Sequence, residues 1–130
     1  MILKNKNGVQ RIEFQNLIKL NDENPIFIQM VANITNDLFE ASQQISVELS
    51  DLEELGNNLN SLCSNKTRVC YFQHIDERLK IKFSNNDGEF SIEGFLKDQT
   101  YFNSVNFYFE VYPIDIIEFN NELHAELRLL

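Results

Sequence analysis

The spacing of apolar residues changes period along this chain, and that change constrains the fold more than any single motif. From Val9 to Leu49, and again from Val69 to Val111, apolar residues recur at every second position or in short runs. Successive side chains of an extended strand point to opposite faces, so period two means strand. Between and after these stretches the spacing becomes three and four, the mark of a helix with one apolar stripe. The first helical stretch carries Leu52, Leu55, Leu59 and Leu62. The last carries Ile116, Phe119, Leu123, Leu127 and Leu130, which fall within about 80° on a helical wheel.

Ile12, Phe14, Ile18 and Leu20 are expected on one face of the first strand, with Asn16 as the exception. A turn at Asn21-Asp22-Glu23-Asn24-Pro25 follows. Ile26 to Ile34 is nearly continuous apolar sequence, which predicts a strand covered on both faces. Phe39, Ala41, Ile45, Val47 and Leu49 alternate with polar residues, as in a half-buried strand. Ser50-Asp51-Leu52-Glu53 has the pattern of a capping box and predicts a helix from Asp51 to about Cys63. Gly56 weakens that helix by ~1 kcal/mol relative to alanine.

Beyond the helix, Val69–Ile75 and Leu79–Phe83 read as strands, and Asn85-Asn86-Asp87-Gly88 as a hairpin connection with Gly88 suited to positive φ. Phe90, Ile92 and Leu96 face one way in the next strand, with Glu89, Ser91 and Glu93 opposite; Gly94 marks a bulge or a close neighbour. Val105, Phe107, Phe109 and Val111 face inward in the last strand, and Pro113 opens the closing helix. Short connections between strands mean antiparallel meanders. The expected fold class is α+β: a curved antiparallel sheet of about seven strands, in one sheet or two, with two helices packed on it in the order βββ-α-ββββ-α. Residues 1–130 are expected to form a single domain.

Charge and motif content narrow the function. Lys+Arg 11 against Asp+Glu 20 gives a net charge of −9. Neutralising phosphates takes a basic surface, so this balance argues against nucleic acid and anionic lipid as partners and favours a basic one. No apolar run approaches the ~18 residues of a membrane span, and Met1 to Lys6 is not followed by the apolar stretch of a signal peptide. Cys63 and Cys70 fit no zinc or redox spacing and are expected reduced and packed, which points to the cytoplasm. His74 and His124 share no ligand spacing, so they are expected as ordinary surface or strand-end residues, with no metal and no cofactor. G-x-S-x-G, P-loop and G-x-G-x-x-G patterns are absent; Cys70, His74 and Asp76 are the best catalytic candidates and make no positioned triad, so no enzymatic activity is expected.

Three clusters remain as candidate contact residues. Asp115, Glu118, Glu122 and Glu126 form one stripe on the last helix, where like charges repel by about 0.2–0.5 kcal/mol per pair. Such a stripe is either a solvated face or a docking surface for a basic partner. Glu48, Asp51, Glu53 and Glu54 are accounted for by capping and the helix dipole. In the segment Lys97 to Asn103, Tyr101 and Phe102 either tuck under a sheet edge or stand out as anchors.

Several stretches resemble the WapI-type immunity proteins, antitoxins of bacterial contact-dependent toxin systems. They are Val47-Glu48-Leu49-Ser50-Asp51-Leu52-Glu53-Glu54-Leu55, Leu79-Lys80-Ile81-Lys82-Phe83, Gly88-Glu89-Phe90-Ser91-Ile92-Glu93-Gly94-Phe95-Leu96, Val105-Asn106-Phe107-Tyr108-Phe109-Glu110-Val111 and Ile116-Ile117-Glu118-Phe119-Asn120-Asn121-Glu122-Leu123. The resemblance implies a small cytoplasmic protein that binds one cognate toxin domain and blocks it, with no catalytic residues of its own. Toxins of this class are often nucleases with basic substrate sites, which agrees with the acidic balance. The alternative is a small-molecule or protein-binding module without catalysis, its ligand held between the aromatic strands Val69–Ile75 and Val105–Val111.

Overall fold

The computed structural model describes residues 1–38, 40–74 and 76–130. Strands β1 (Ile2–Lys4), β2 (Arg11–Lys19), β3 (Phe27–Thr35) and β4 (Glu40–Glu48) form one antiparallel meander in sequence order. Helix α1 (Leu49–Cys63) follows without a loop. Strands β5 (Val69–Gln73), β6 (Leu79–Asn86), β7 (Glu89–Lys97) and β8 (Ser104–Val111) form a second meander, and α2 (Pro113–Leu129) closes the chain. The α+β class and the βββ-α-ββββ-α order hold, with two separate sheets. The additional strand, β1, is too short to display a period and pairs with Arg11 to Glu13 of β2.

Local chemistry explains where the structure departs from the periodicity. In β2 the register shifts between Gln15 and Ile18, with Asn16 at φ 55. The bulge reverses the alternation: Leu17 packs against the core, and Ile18 and Leu20 are exposed instead of continuing the face of Ile12 and Phe14. Strand β3 is buried on one face only, at Ile28, Met30, Ala32 and Ile34, while Phe27 is exposed and Gln29, Val31 and Asn33 are half-buried. Phe39 and Ile75, counted above among the strand residues, lie outside the described residues.

The capping box does not form as expected. Helix α1 starts two residues before Asp51, because the amide of Leu49 still completes the β3–β4 ladder by donating to Ile26 O at 2.8 Å. Glu48 is the N-cap without a side-chain bond, and Ser50 donates its hydroxyl proton to Glu48 Oε2 at 3.2 Å. Asp51, at the third helical position, makes the reciprocal half of the motif: its carboxylate accepts from the Glu48 backbone amide.

One hydrophobic cluster includes residues of both sheets and both helices. Phe14 of β2 lies at its junction, its ring centroid 5.7 Å from those of Phe72 in β5 and Phe119 in α2. Two buried asparagines tie elements across it. Asn120 of α2 donates to Gly56 O at 3.1 Å and Asn60 Oδ1 at 2.8 Å. Asn85 donates to Leu62 O at 3.0 Å and accepts from the Gly88 amide at 2.8 Å, fastening the end of α1 to the β6–β7 hairpin. That hairpin turns on Asp87 and Gly88, both at positive φ, as a two-residue connection requires. Gly56, read above only as a weakness, is where α1 meets α2: a Cβ there would lie 2.8 Å from Cε1 of His124.

Gly94 marks close packing, since the β6–β7 register runs past it unbroken. An added Cβ would collide with the Lys80 backbone carbonyl and sit 2.9 Å from Cζ of Phe107. Backbone cannot step aside as a flexible side chain can, so Gly94→Ala is expected to cost about 2 kcal/mol in urea unfolding, within the usual range for overpacking. A change below ~0.5 kcal/mol would count against this reading.

The outer edges of the sheets are partly occupied. On β4, Ser46 O takes a hydrogen bond from His74, and Gln43 Oε1 takes one from Arg78 at 2.7 Å. On β8, Glu110 O accepts from the Lys6 amide at 3.1 Å, and Asn106 O from Asn36 Nδ2 at 3.5 Å.

Candidate partner-binding surface

Glu118, Glu122 and Glu126 are exposed along α2, and Asp115 is half-buried in its first turn, where the helix dipole favours negative charge. From Asp115 to Glu126 the stripe spans about 16 Å at 1.5 Å per residue. Glu122 has one cationic neighbour, the Met1 amine at 3.7 Å.

The aromatics are the exposed alternative of the two weighed above. Phe102 is 92% exposed and Tyr101 about half. The loop that carries them is held by Asp98, whose Oδ1 accepts from the Thr100 amide at 3.0 Å and hydroxyl at 2.6 Å, and whose Oδ2 accepts from Asn103 Nδ2 at 2.6 Å. Those bonds, the Thr100 hydroxyl first, hold the Asp98 carboxyl below its usual range. Tyr101 sits at φ 64 and donates its hydroxyl proton to Asp76 O at 3.0 Å. Lys97 donates its amide to Arg78 O at 2.7 Å. Both bonds fasten the loop to the 76–78 turn, so the aromatics and the α2 carboxylates stand on different elements.

The acids next to that turn form a cleft that sequence reasoning passed over. Glu48, Asp51, Gln73, His74 and Glu77 line a hollow of about 320 Å³. Partial burial raises the Asp51 carboxyl above its usual range, and the Glu48 charge adds to the effect. His74 is a strand-end residue as expected, but it is buried, at 3% exposure, instead of lying on the surface. Its Nε2 lies 2.9 Å from Ser46 O, which accepts, so Nε2 carries the proton. The signal was present in the sequence: Cys70, Phe72 and His74 share the inward face of β5 by alternation.

Cys70, His74 and Asp76 are not assembled for catalysis. Two strand residues four apart on one face are about 13 Å from each other. Burial, together with nearby Cys63, pushes the Cys70 thiol up to about 12, and Nε2 of His74 is engaged by Ser46. Among the described residues no three His, Cys, Asp or Glu side chains stand close enough to hold a metal ion, and no helix is long and apolar enough to cross a membrane. The inward rings of the aromatic strands fill the core, with Phe72 on Phe14 and Phe107 6.2 Å from Phe109. An open hollow of about 410 Å³ nonetheless lies across the second sheet, lined among others by Tyr71 of β5 and by Asn106 and Phe107 of β8. A second open cleft, of about 470 Å³, lies between the helices, bordered by Leu49, Glu53, Asn57, His124, Leu127 and Arg128.

Two meanders around a shared core thus carry a braced aromatic loop and the exposed carboxylates of α2. The chain belongs to the WapI-like immunity protein family, whose model matches residues 1–130. Toxin neutralisation is the general role of such a family. No curated protein and no solved structure gives a significant match.

Proposed function

We propose that this chain is an immunity protein that binds a cognate bacterial toxin domain in the cytoplasm and neutralises it by covering its active site, with no reaction or cofactor of its own. The observation that carries this reading is the match to an immunity-protein family over residues 1–130. The net charge of −9 supports a basic partner. Asp115, Glu118, Glu122 and Glu126 supply the field that steers encounter, and Tyr101 and Phe102 supply aromatic contact on a loop whose ordering cost is met before binding.

Co-expression with the product of the neighbouring reading frame tests the reading: the complex should co-purify, and the toxin alone should kill. Failure of both removes it. Within the complex, Phe102→Ala should weaken affinity by about 2 kcal/mol while leaving folding stability within ~0.5 kcal/mol. Reversing Glu118, Glu122 and Glu126 to lysine should slow association roughly tenfold or more at low salt, with the difference closing at high salt. Stopped-flow association against ionic strength reads this directly; an unchanged rate would exclude the α2 stripe.

A further inference from the structure

We propose that the hollow across the outer face of the second sheet is a binding site for a small aromatic monocarboxylate. This goes beyond the toxin reading and does not rest on it. Alternation sends Phe72, Ile81 and Phe109 into the core and leaves Tyr71, Lys80, Lys82, Glu93, Phe95 and Asn106 on the opposite face. The register sets Lys80, Phe95 and Asn106 side by side on β6, β7 and β8. It sets Tyr71, Lys82 and Glu93 side by side on β5, β6 and β7. These side chains line an open hollow of about 410 Å³, within the roughly 300–1,000 Å³ of small-molecule sites.

The charge at the hollow has the opposite sign to that of the chain. Lys82 is paired with Glu93 at 3.5 Å, and among the described residues Lys80 and Lys97 have no carboxylate within ion-pair reach. Each stands over a ring instead: Lys80 Nζ lies 5.5 Å from the Tyr71 centroid, and Lys97 Nζ 4.8 Å from that of Phe95. A cation held on a ring has met part of its ordering cost before an anion arrives. In a chain of net charge −9, a positive spot of this kind selects an anion. Glu93 and Lys82 offset each other, so Lys80 is the uncompensated charge in the lining. That balance suits a monoanion and disfavours a phosphate dianion, which Glu93 would repel. Asn106 accepts from the Ser104 hydroxyl through Oδ1 at 3.3 Å, which leaves its Nδ2 to donate to a carboxylate oxygen. Tyr71, 52% exposed, and the half-buried Phe95 offer ring surface on which a flat ligand body stacks.

The test titrates the full chain with benzoate while NMR follows the Tyr71 ring and the Lys80 side chain. The expected result is a saturable shift in the millimolar range. Acetate carries the charge without the ring, benzyl alcohol the ring without the charge, and phenyl phosphate the ring with a second charge. Each should bind roughly tenfold more weakly or worse. Lys80→Met keeps the apolar stem, removes the ammonium and should weaken benzoate roughly tenfold, whereas Lys66→Met, at an exposed lysine outside the hollow, should change nothing. Far-UV circular dichroism checks that the variants fold; if Lys80→Met does not, Tyr71→Leu, at an exposed ring, carries the same expected loss. Acetate or benzyl alcohol matching benzoate would reduce the site to charge alone or to apolar contact alone and overturn it. Phenyl phosphate binding as tightly, undiminished benzoate binding in the variant, or no saturable shift would overturn it equally. None of these results bears on toxin neutralisation, which is read from co-expression.

Discussion

Replacing Phe14 by alanine is expected to lower the free energy of unfolding by about 4 kcal/mol, within the range for truncating a fully buried aromatic. The side chain is 1% exposed and touches rings on two other elements, so its loss opens a cavity where the first sheet, the second sheet and α2 meet. Each ring pair adds about 0.5–1.5 kcal/mol beyond area burial, and both are lost together. Against a typical total of 5–15 kcal/mol, the variant stands near the edge of folding. Urea unfolding followed by far-UV circular dichroism measures the effect, with Phe102→Ala as the aromatic control at 92% exposure. A loss below ~1.5 kcal/mol would mean that neighbouring elements close the gap, and that the three layers are less tightly joined than described.

The second large effect is chemical. Cys70 should react with iodoacetamide about a thousandfold more slowly in the folded protein than in urea near pH 8, because the thiolate fraction falls by that factor when the thiol moves from 9.0 to about 12. Burial is the main cause, and the nearby Cys63 thiol adds to it. Cys63, half-buried and raised to a lesser degree, should be labelled first. The same shift fixes the sign of a pH dependence. The folded state holds the Cys70 proton where the unfolded state has released it, so this contribution to stability is complete below about pH 9 and is lost as pH rises through 12. Thermal unfolding across that alkaline window should fall less steeply in Cys70→Ala than in the unaltered chain. Rapid native labelling of Cys70 would revive it as a nucleophile.

The three changes of period made the element order readable, because alternation and the three-and-four spacing depend only on which residues face inward. Ile92, Phe109 and Leu123 sit where that logic puts them. The misplaced features are those in which one backbone atom outranked the pattern. At Asn16 a left-handed residue inserts into β2 and turns Ile18 outward. At Leu49 a last ladder bond moves the start of α1 and hands the reach-back role to Asp51. Asn85 reads only as part of the hairpin connection, and nothing in the sequence singles out Asn120, since their partners Leu62, Gly56 and Asn60 are brought to them only by the tertiary fold. The acids of α2 and the aromatics of the β7–β8 loop were legible as exposed chemistry. The hollow at Glu48, Asp51, His74 and Glu77 was not, because it joins two segments, 48–51 and 73–77, that are separated in sequence.

The occupied sheet borders carry a consequence for how recognition evolves. A strand added to β4 would have to displace the contacts from His74 and Arg78, and one added to β8 those from Lys6 and Asn36. Main-chain recognition, which is nearly indifferent to sequence, is therefore obstructed at β4 and β8, one edge of each sheet. On the proposed function, a toxin that met these two edges would be recognised through protruding side chains, which can be exchanged without rebuilding the scaffold beneath.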